Sequence, residues 1–357
     1  MFVGSGAHGQ VYVKSHSAIK TGMEAKQVIR EVALMRRCRA IKNVVTIKSF
    51  SVSKGQITME RYEQNLDNWA RTKPSKIDIV TVLEQLFYGL YDIHRLNIVH
   101  SDIKPTNILI RTKPLSVAIG DFGNSSLVGY TRSDKTSPFY RDPMQSKTKA
   151  HDIYSLGVCI KRIYYLAKKD NLSTKLRIDT AAVPKAYRKI VKRMLNKKPE
   201  ARPTIQEIYH AFFGKRLAVY PHMRERMSIN IVDDVFRTLP RQRSQSLSCL
   251  NNVARISPRD LKQSASEEWI SHCVKSHEIA ETDFRVPRTK IGCECLLSVI
   301  ENHKSTKSVD HKSLIFANII ILAACFGGDF PDELDNATIQ SIEILLSDVE
   351  YVDCIMT

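Results

Sequence analysis

Apolar residues alternate over short stretches at the front of the chain and recur at helical spacing farther along. Strand-like alternation covers Val11–Val13, Ala18–Lys20, Val44–Val52 and Gln56–Glu60. A period of two is typical of strands that bury one face. Residues 1–62 are therefore predicted to form a small β-rich lobe that contains one helix.

Helices are predicted wherever apolar side chains recur every three or four residues. The front helix covers residues 23–39, and its apolar face consists of Val28, Val32 and Met35. A longer helix is predicted from Ser75 to about Arg95, because Ser75 and Asp78 have the spacing of an N-terminal cap. Its apolar positions are Ile79, Val82, Leu83, Leu86, Leu90 and Ile93.

The rest of the chain is predicted to be helical, apart from one polar stretch. Residues 63–214 form a larger helical lobe, which closes with a helix capped by Thr204 and Glu207 and ends near Phe213. Residues 215–268 are a basic linker, either solvated or used for docking or autophosphorylation. Residues 269–357 predict a small all-α domain, whose run from Leu314 to Phe326 is too short to span a bilayer.

The distribution of charge also separates the predicted C-terminal helical domain from the rest of the chain. The 357 residues have a formal net charge of +17. From Trp269 onward there are 7 Lys and Arg against 14 Asp and Glu, whereas the preceding part has 47 against 23. A basic front and an acidic tail indicate separate domains that attract one another. The basic front also suits phosphate-bearing ligands, and no motif supports binding to nucleic acid or insertion in a membrane.

The cysteines give no sign of a metal site or of a disulfide framework. There are eight, without a Cys-x-x-Cys pair, and the spacing of Cys293, Cys295 and His303 suits no common zinc site. No signal peptide opens the chain. We therefore expect reduced thiols and an intracellular protein, cytoplasmic or nuclear.

A glycine-rich stretch near the start fits the pattern G-x-G-x-x-G-x-V. It consists of Gly4, Ser5, Gly6, Ala7, His8, Gly9, Gln10 and Val11. Glycines let the backbone fold closely over phosphates. A strand that ends at Lys20 follows, instead of the helix that follows the glycines of a dinucleotide fold.

A second stretch, from His100 to Gly123, contains three side chains suited to work on phosphates. Asp102 and Asn107 stand five residues apart, and Asp121 follows just before Phe122 and Gly123. Asp102 could accept the proton of an attacking hydroxyl. Asn107 and Asp121 offer the oxygen ligands that Mg²⁺ prefers.

Together these motifs resemble eukaryotic-type serine/threonine protein kinases over residues 1–214, in the order and spacing of that family. The resemblance implies a bilobal α+β fold, protein substrates, and ATP and Mg²⁺ as cofactors. Asp102 would be the catalytic base, Lys104 would offset charge, and Asn107 and Asp121 would hold the metal. Lys20, oriented by Glu31 or less readily by Glu24, would bind the phosphates. The remaining nucleotide contacts would come from the glycine-loop residues, Ala18, Glu60, Tyr62 and Leu109.

Three positions depart from the family pattern. Ser101 replaces the arginine that usually pairs with an activation-segment phosphate, which implies an enzyme independent of that phosphorylation. Met144 replaces the glutamate that usually pairs with Arg202. Either Asp142 compensates or Arg202 reaches solvent. Thr136 is expected to contact Asp102 and Lys104.

Other interpretations remain open at this stage. A pseudokinase or docking scaffold would fit the departures at Ser101 and Met144, and a small-molecule phosphotransferase is a third class. The order of helices after Trp269 weakly resembles a cyclin box, which would supply a binding site for a protein partner. The compact lobes are also similar in style to kinases of large DNA viruses, which would place the protein in a host cell.

Overall fold

The computed structural model describes two compact units. Its described residues are 2–6, 9–128, 139–144, 148–168, 180–217 and 334–348, with short pieces at 313–314, 317–318, 320–321, 324 and 351–352. The first unit contains residues 1–22, 38–49 and 57–218. The second contains residues 23–37, 50–56 and 219–357. The predicted boundaries at 214 and 268 stay predictions.

An antiparallel sheet occupies the front of the chain. Its strands are β1 (Phe2–Gly6), β2 (Gly9–Val13), β3 (Ser17–Thr21), β4 (Ile47–Ser51) and β5 (Gln56–Glu60). Their order in the sheet is β1-β2-β3-β5-β4. Gly6 is paired with Gly9 at the turn of the first hairpin, where Gly9 has a φ of 127°, a value that favours glycine. The predicted strands are confirmed, except that the one predicted over Val44–Val52 covers only Ile47–Ser51.

Helices and short strand pairs make up most of the remaining described chain. The helices are α1 (Ala25–Arg37), α2 (Leu66–Arg71), α3 (Lys76–Arg95), α4 (Lys149–Lys168), α5 (Arg188–Met194), α6 (Ile205–Phe213) and α7 (Asn336–Ser347). The further strands are β6 (Gln64–Asn65), β7 (Ile98–Val99), β8 (Ile108–Thr112), β9 (Leu115–Ile119) and β10 (Ser126–Leu127). Of the helices in the described ranges, none is both long and apolar enough to cross a membrane.

Capping boxes fix the starts of α3 and α6, as their sequences predicted. Ser75 Oγ accepts a hydrogen bond from the Asp78 amide at 3.1 Å, and the Asp78 carboxylate accepts one from the Ser75 amide at 3.3 Å. Thr204 and Glu207 form the same arrangement at α6. The six apolar positions predicted to face the core of α3 are all buried. This helix packs on β9 and α6 and so forms a rigid base for the loops beside it.

Two small sheets place the loops of the site. Strands β6, β8 and β9 form one sheet, and β7 pairs with β10 in another. Residues 100–107 lie between β7 and β8, and residues 120–125 lie between β9 and β10. The amide of Gly120 donates to the carbonyl of Asn107 at 2.9 Å, which brings the two loops together.

The second unit combines α1, residues 50–56 and described parts of the tail. Met23 donates its amide to the carbonyl of Gly55 at 3.2 Å, at the start of α1. Helix α7 is capped by Asp335, whose side chain accepts from the Thr338 amide at 2.7 Å, and it contacts α1. This part of the tail, which the sequence predicted to be all-α, is therefore helical. The linker at 218–268 and most of the predicted cyclin-like domain lie outside the described residues.

Candidate active site

The loop between β7 and β8 fixes the orientation of one buried carboxylate. Asp102 Oδ2 accepts from Lys104 Nζ at 2.6 Å and from Asn107 Nδ2 at 3.1 Å. Asn107 Nδ2 also donates to the Asp102 carbonyl at 3.0 Å. A short 3₁₀ turn, Pro105–Asn107, folds the chain back so that residues five apart can meet. The structure therefore brings together the three loop residues that the sequence predicted.

Asp121 forms an ion pair with Lys20, although 101 residues separate them in the chain. Lys20 Nζ lies 2.8 Å from Asp121 Oδ1, and the lysine side chain is buried. Burial by itself would raise the pKa of Asp121, but the Lys20 ammonium outweighs it and holds that pKa at about 2. Asp121 is thus an anion at neutral pH, with its side chain 32% exposed.

His100 connects the Asp102 loop to the Asp121 loop. Its Nδ1 accepts from the Asp102 amide at 3.3 Å, and its Nε2 donates to the Gly120 carbonyl at 3.1 Å. Complete burial lowers the pKa of His100, so the ring is neutral and each nitrogen has one role. The ring also packs edge-on against Phe122, with centroids 4.9 Å apart. His100 therefore has a structural role, as the link between the two loops.

Asp152, on α4, holds the backbone of the loop that contains Asp102. Its two carboxylate oxygens accept from the amides of His100 and Ser101, each at 2.8 Å. His94 Nε2 lies 2.9 Å from Oδ2. Burial by itself would raise the pKa of Asp152, but the hydrogen bond with His94 opposes this effect, and the pKa lies below its usual value. Asp152 thus braces the backbone of this loop.

The backbone is strained at the two ends of the site. Ser101 has a φ of 66° and Asp121 a φ of 63°, both in the left-handed region that residues other than glycine seldom adopt. The Ser101 amide is fixed by Asp152, and its carbonyl lies 3.1 Å from His151 Nε2. Such positions persist only where surrounding contacts hold them, and they cluster at functional sites.

Arg202 forms its ion pair with Asp142, because Met144 replaces the glutamate that usually pairs with this arginine. The Arg202 guanidinium forms two parallel bonds to Asp142, at 2.6 and 2.7 Å, and both side chains are fully buried. Met144 is 63% exposed, whereas the pair is buried. Of the two sequence-based alternatives, compensation by Asp142 is therefore the one observed, and Arg202 does not reach solvent.

The end of β5 and the segment after it, where nucleotide contacts of Glu60 and Tyr62 are expected, are held by a charge pair. Arg111 lies 2.6 Å from the Glu60 carboxylate and 4.8 Å above the ring of Tyr62. Burial and the neighbouring Glu60 raise the pKa of Tyr62 to about 12. The Glu60 side chain is thus engaged by Arg111, which leaves backbone groups as the better candidates for a nucleotide contact at this position.

The other predicted nucleotide contacts lie on strands of the first unit. Val11 is paired with Lys20 and Ala18 with Met59 in the front sheet, and Leu109 lies on β8 beside Ala118. Gly4, Ser5 and Gly6 belong to β1, and Gly9 begins β2. Ala7, His8 and Thr136 fall outside the described residues.

Glu31 is fully buried on α1, at 0% exposure. It belongs to the second compact unit, whereas Lys20 belongs to the first. Its role as the acid that orients Lys20 therefore stays a prediction.

The donor set of the site suits a hard divalent cation. Asn107 turns its amide nitrogen towards Asp102, which directs its oxygen elsewhere, and Asp121 is an ionised carboxylate. Mg²⁺ is usually held by one or two oxygen ligands of this kind together with several waters. Asn107 and Asp121 are thus the residues that would hold Mg²⁺.

Sequence reasoning left two contributors to the site unassigned. Arg111 lies on β8, far from Glu60 in the sequence, and no sequence motif identifies it as the partner of Glu60. His94 lies in the last turn of α3, and a polar residue near a helix end is too common to indicate a functional role. Its contact with Asp152 depends on how α3 meets α4, which the sequence does not display.

Comparison with known proteins gives the family. A profile of the protein kinase domain matches residues 2–213. A probable cell division protein kinase of Encephalitozoon cuniculi is 25% identical over 248 residues, which are 58% of this chain and 92% of that protein. A probable serine/threonine-protein kinase of Dictyostelium discoideum is 36% identical over 150 residues, 36% of this chain but 15% of the relative. The interferon-induced, double-stranded RNA-activated protein kinase of Rattus norvegicus is 26% identical over 184 residues, 47% of this chain and 35% of the relative.

Because the matching profile covers more than half of the chain, the chain belongs to the protein kinase family. The family and enzyme class predicted from the motifs are confirmed. So is the fold class, a β-rich front followed by a helical region, over residues 2–213. Use of ATP follows from the family. The resemblance of the tail to a cyclin box stays a prediction.

Proposed function

We propose that this protein transfers the γ-phosphoryl group of ATP, with Mg²⁺, to serine or threonine hydroxyls of proteins. The observation that supports this most directly is the pair of contacts within one unit: Asp102 held by Lys104 and Asn107, and Asp121 held by Lys20. Relatives from Dictyostelium discoideum and Xenopus laevis whose names are serine/threonine-protein kinases support the choice of acceptor.

Asp102 orients the acceptor hydroxyl and receives its proton. The two donors on Oδ2 keep its carboxylate in one orientation, so little freedom is lost when the substrate binds. Lys104 lies beside the same carboxylate and places a positive charge where negative charge develops on the transferring group. Lysine at this position, two residues after the aspartate, is typical of the serine/threonine branch of the family that the sequence resembles.

Lys20 and the glycine hairpin bind the triphosphate. The ammonium of Lys20 sits on a buried strand position and is directed at Asp121, close to where the phosphates would lie. Gly4, Gly6 and Gly9 let the β1–β2 hairpin approach the phosphates without side chains in the way. Asn107 and Asp121 would hold Mg²⁺, which would neutralise phosphate charge during transfer.

We also propose that activity does not require phosphorylation of the segment after Asp121. Ser101 has no cationic group to bind a phosphate, and its amide and carbonyl are already fixed by Asp152 and His151. Cys38 and Cys159 are buried and remain thiols, which supports an intracellular location, cytoplasmic or nuclear.

Incubation of the full chain with γ-labelled ATP, Mg²⁺ and a peptide library tests the proposal. We expect label on serine and threonine, and its loss with Asp102→Asn, which keeps the side-chain shape and removes the proton acceptor. Thermal stabilisation by ATP and Mg²⁺ should survive in that variant, because Asp102 is not a nucleotide ligand. Stabilisation of the wild-type chain without any labelled product would contradict the proposal and favour a pseudokinase or docking scaffold.

A further inference from the structure

Helix α7 near the end of the chain lies on α1 near its beginning. The two helices contact each other within the second unit. Glu343 on α7 also reaches the turn between β4 and β5, where its Oε1 accepts a hydrogen bond from the Val52 amide at 2.6 Å. Val52 is 2% exposed, so this bond is shielded from water. The contact joins residues 291 positions apart in the sequence.

Burial along α1 shows that this helix is covered on more than one side. Nine of its 13 residues are buried, whereas a helix that packs by a single face buries a narrower stripe. Arg30 and Arg37, at 5% and 9% exposure, are among the nine. Cations are seldom buried unless an anion compensates them. The surroundings of α1 must therefore be both apolar and acidic.

The tail has both properties. Helix α7 buries one stripe at spacings of three and four, consisting of Thr338, Ser341, Ile342, Leu345 and Leu346. Two members of the stripe are small, which allows a neighbouring helix to approach closely. The sequence from Trp269 onward has 14 Asp and Glu against 7 Lys and Arg, whereas α1 has four cations and one anion. The charges of the tail and of α1 are thus complementary.

We propose that α1 together with residues 50–56 is a docking surface for the chain's own tail helix, α7, and that docking fixes the helix on which Glu31 lies. The first half of this proposal is independent of the activity proposed above. The second half rests on it: if Glu31 orients Lys20, release of α7 lets α1 move and slows phosphoryl transfer. Glu343 is then a positioning residue, not a catalytic one.

Hydrogen exchange on the full chain tests the docking without any assay of activity. Ile342→Asp places a charge in the buried stripe of α7 and should speed exchange of the α1 amides about tenfold or more. Exchange in α3, which belongs to the other unit, should stay unchanged and shows that the variant is folded there. Gln340→Ala, on the exposed side of α7, is the matched control and should resemble the wild type. Unchanged exchange of α1 in Ile342→Asp would overturn the docking.

Steady-state kinetics then test the consequence. Glu343→Ala removes the acceptor for the Val52 amide and should lower kcat several-fold, with the KM for peptide unchanged. Glu343→Gln keeps an acceptor oxygen and should restore most of the rate. If only the negative charge of Glu343 mattered, Glu343→Gln would be as slow as Glu343→Ala. Faster exchange of α1 with an unchanged kcat would overturn the control of catalysis. A wild-type chain that transfers no phosphate would instead contradict the proposed function, and the exchange result would still decide the docking.

Discussion

Breaking the buried pair of Asp142 and Arg202 should destabilise the first unit more than any exposed ion pair does. Asp142→Asn keeps the shape of the side chain but removes its charge. Arg202 would then remain fully buried as a cation, with one amide oxygen at position 142 and the backbone carbonyls of Asn196, Ala150 and Lys197 as its neutral acceptors. Its distance from solvent leaves water little chance to replace the lost anion.

The expected cost follows from the geometry. Removing one partner of a buried, hydrogen-bonded ion pair typically costs about 3–5 kcal/mol, because the other charge is left uncompensated. For a domain of this size each kcal/mol lowers Tm by roughly 2–4 °C, so a fall of roughly 6–20 °C is expected. Arg193 and Glu207 form an exposed pair at 2.8 Å, and Arg193→Met should cost at most about 1 kcal/mol.

Tryptophan fluorescence can follow the first unit alone. The chain has two tryptophans, so a Trp269→Phe background leaves Trp69, which is 4% exposed on α2. Thermal and urea unfolding would be compared for Asp142→Asn, Arg202→Met and the double variant. The double variant should be less destabilised than the sum of the two single ones, since it leaves no unpaired charge.

A small effect would refute this reasoning. If Asp142→Asn costs no more than Arg193→Met, the pair is not buried in solution as the structure has it. If adding Met144→Glu restores the lost stability, the side chain at position 144, which is 63% exposed in the structure, must be able to reach Arg202.

Three further outcomes can be checked by stability measurements. Because the pKa of Asp121 is lowered to about 2 from 3.8, its pairing with Lys20 contributes stability that is present above about pH 4 and lost as the pH falls towards 2. In urea titrations, Lys20→Met should therefore be less stable than the wild type at pH 6, with a gap that closes in acid; a constant gap would contradict the pairing. Ser75→Ala removes the cap of α3 and should cost about 1 kcal/mol by urea unfolding; no loss would mean that the cap is not formed. Gly55→Ala should speed exchange in the second unit, because Gly55 has a φ of 56° and an added Cβ would lie 2.2 Å from the Met23 carbonyl oxygen; unchanged exchange would argue against this turn.

Local signals allowed much of the site to be predicted from the sequence. Capping boxes at Ser75 and Thr204 involve residues three apart, and the loop from Asp102 to Asn107 is closed by contacts within five positions. Such contacts leave their pattern in the spacing of residue types. The apolar face of α3 was equally readable, because burial along one helix repeats with the helical period.

Contacts between distant segments could not be read in the same way. Asp142 was one of two alternatives for Arg202, and only the tertiary contacts of Arg202, with Asp142 and with the Ala150 carbonyl on α4, decide between them. The contact of α7 with α1 depends on a path of the chain that no local pattern describes. The strained φ angles at Ser101 and Asp121 are likewise imposed by partners elsewhere, since neither residue type favours that conformation by itself.

The central claim is that Asp121 and Asn107 hold a metal beside an acceptor-orienting Asp102, and one measurement tests it most directly. Phosphoryl transfer from γ-labelled ATP would be followed as a function of Mg²⁺ concentration in the wild type and in Asp121→Asn, with hydrogen exchange to verify the fold. The account predicts Mg²⁺-dependent transfer by the wild type and none by a folded Asp121→Asn. Full transfer by that variant would contradict it.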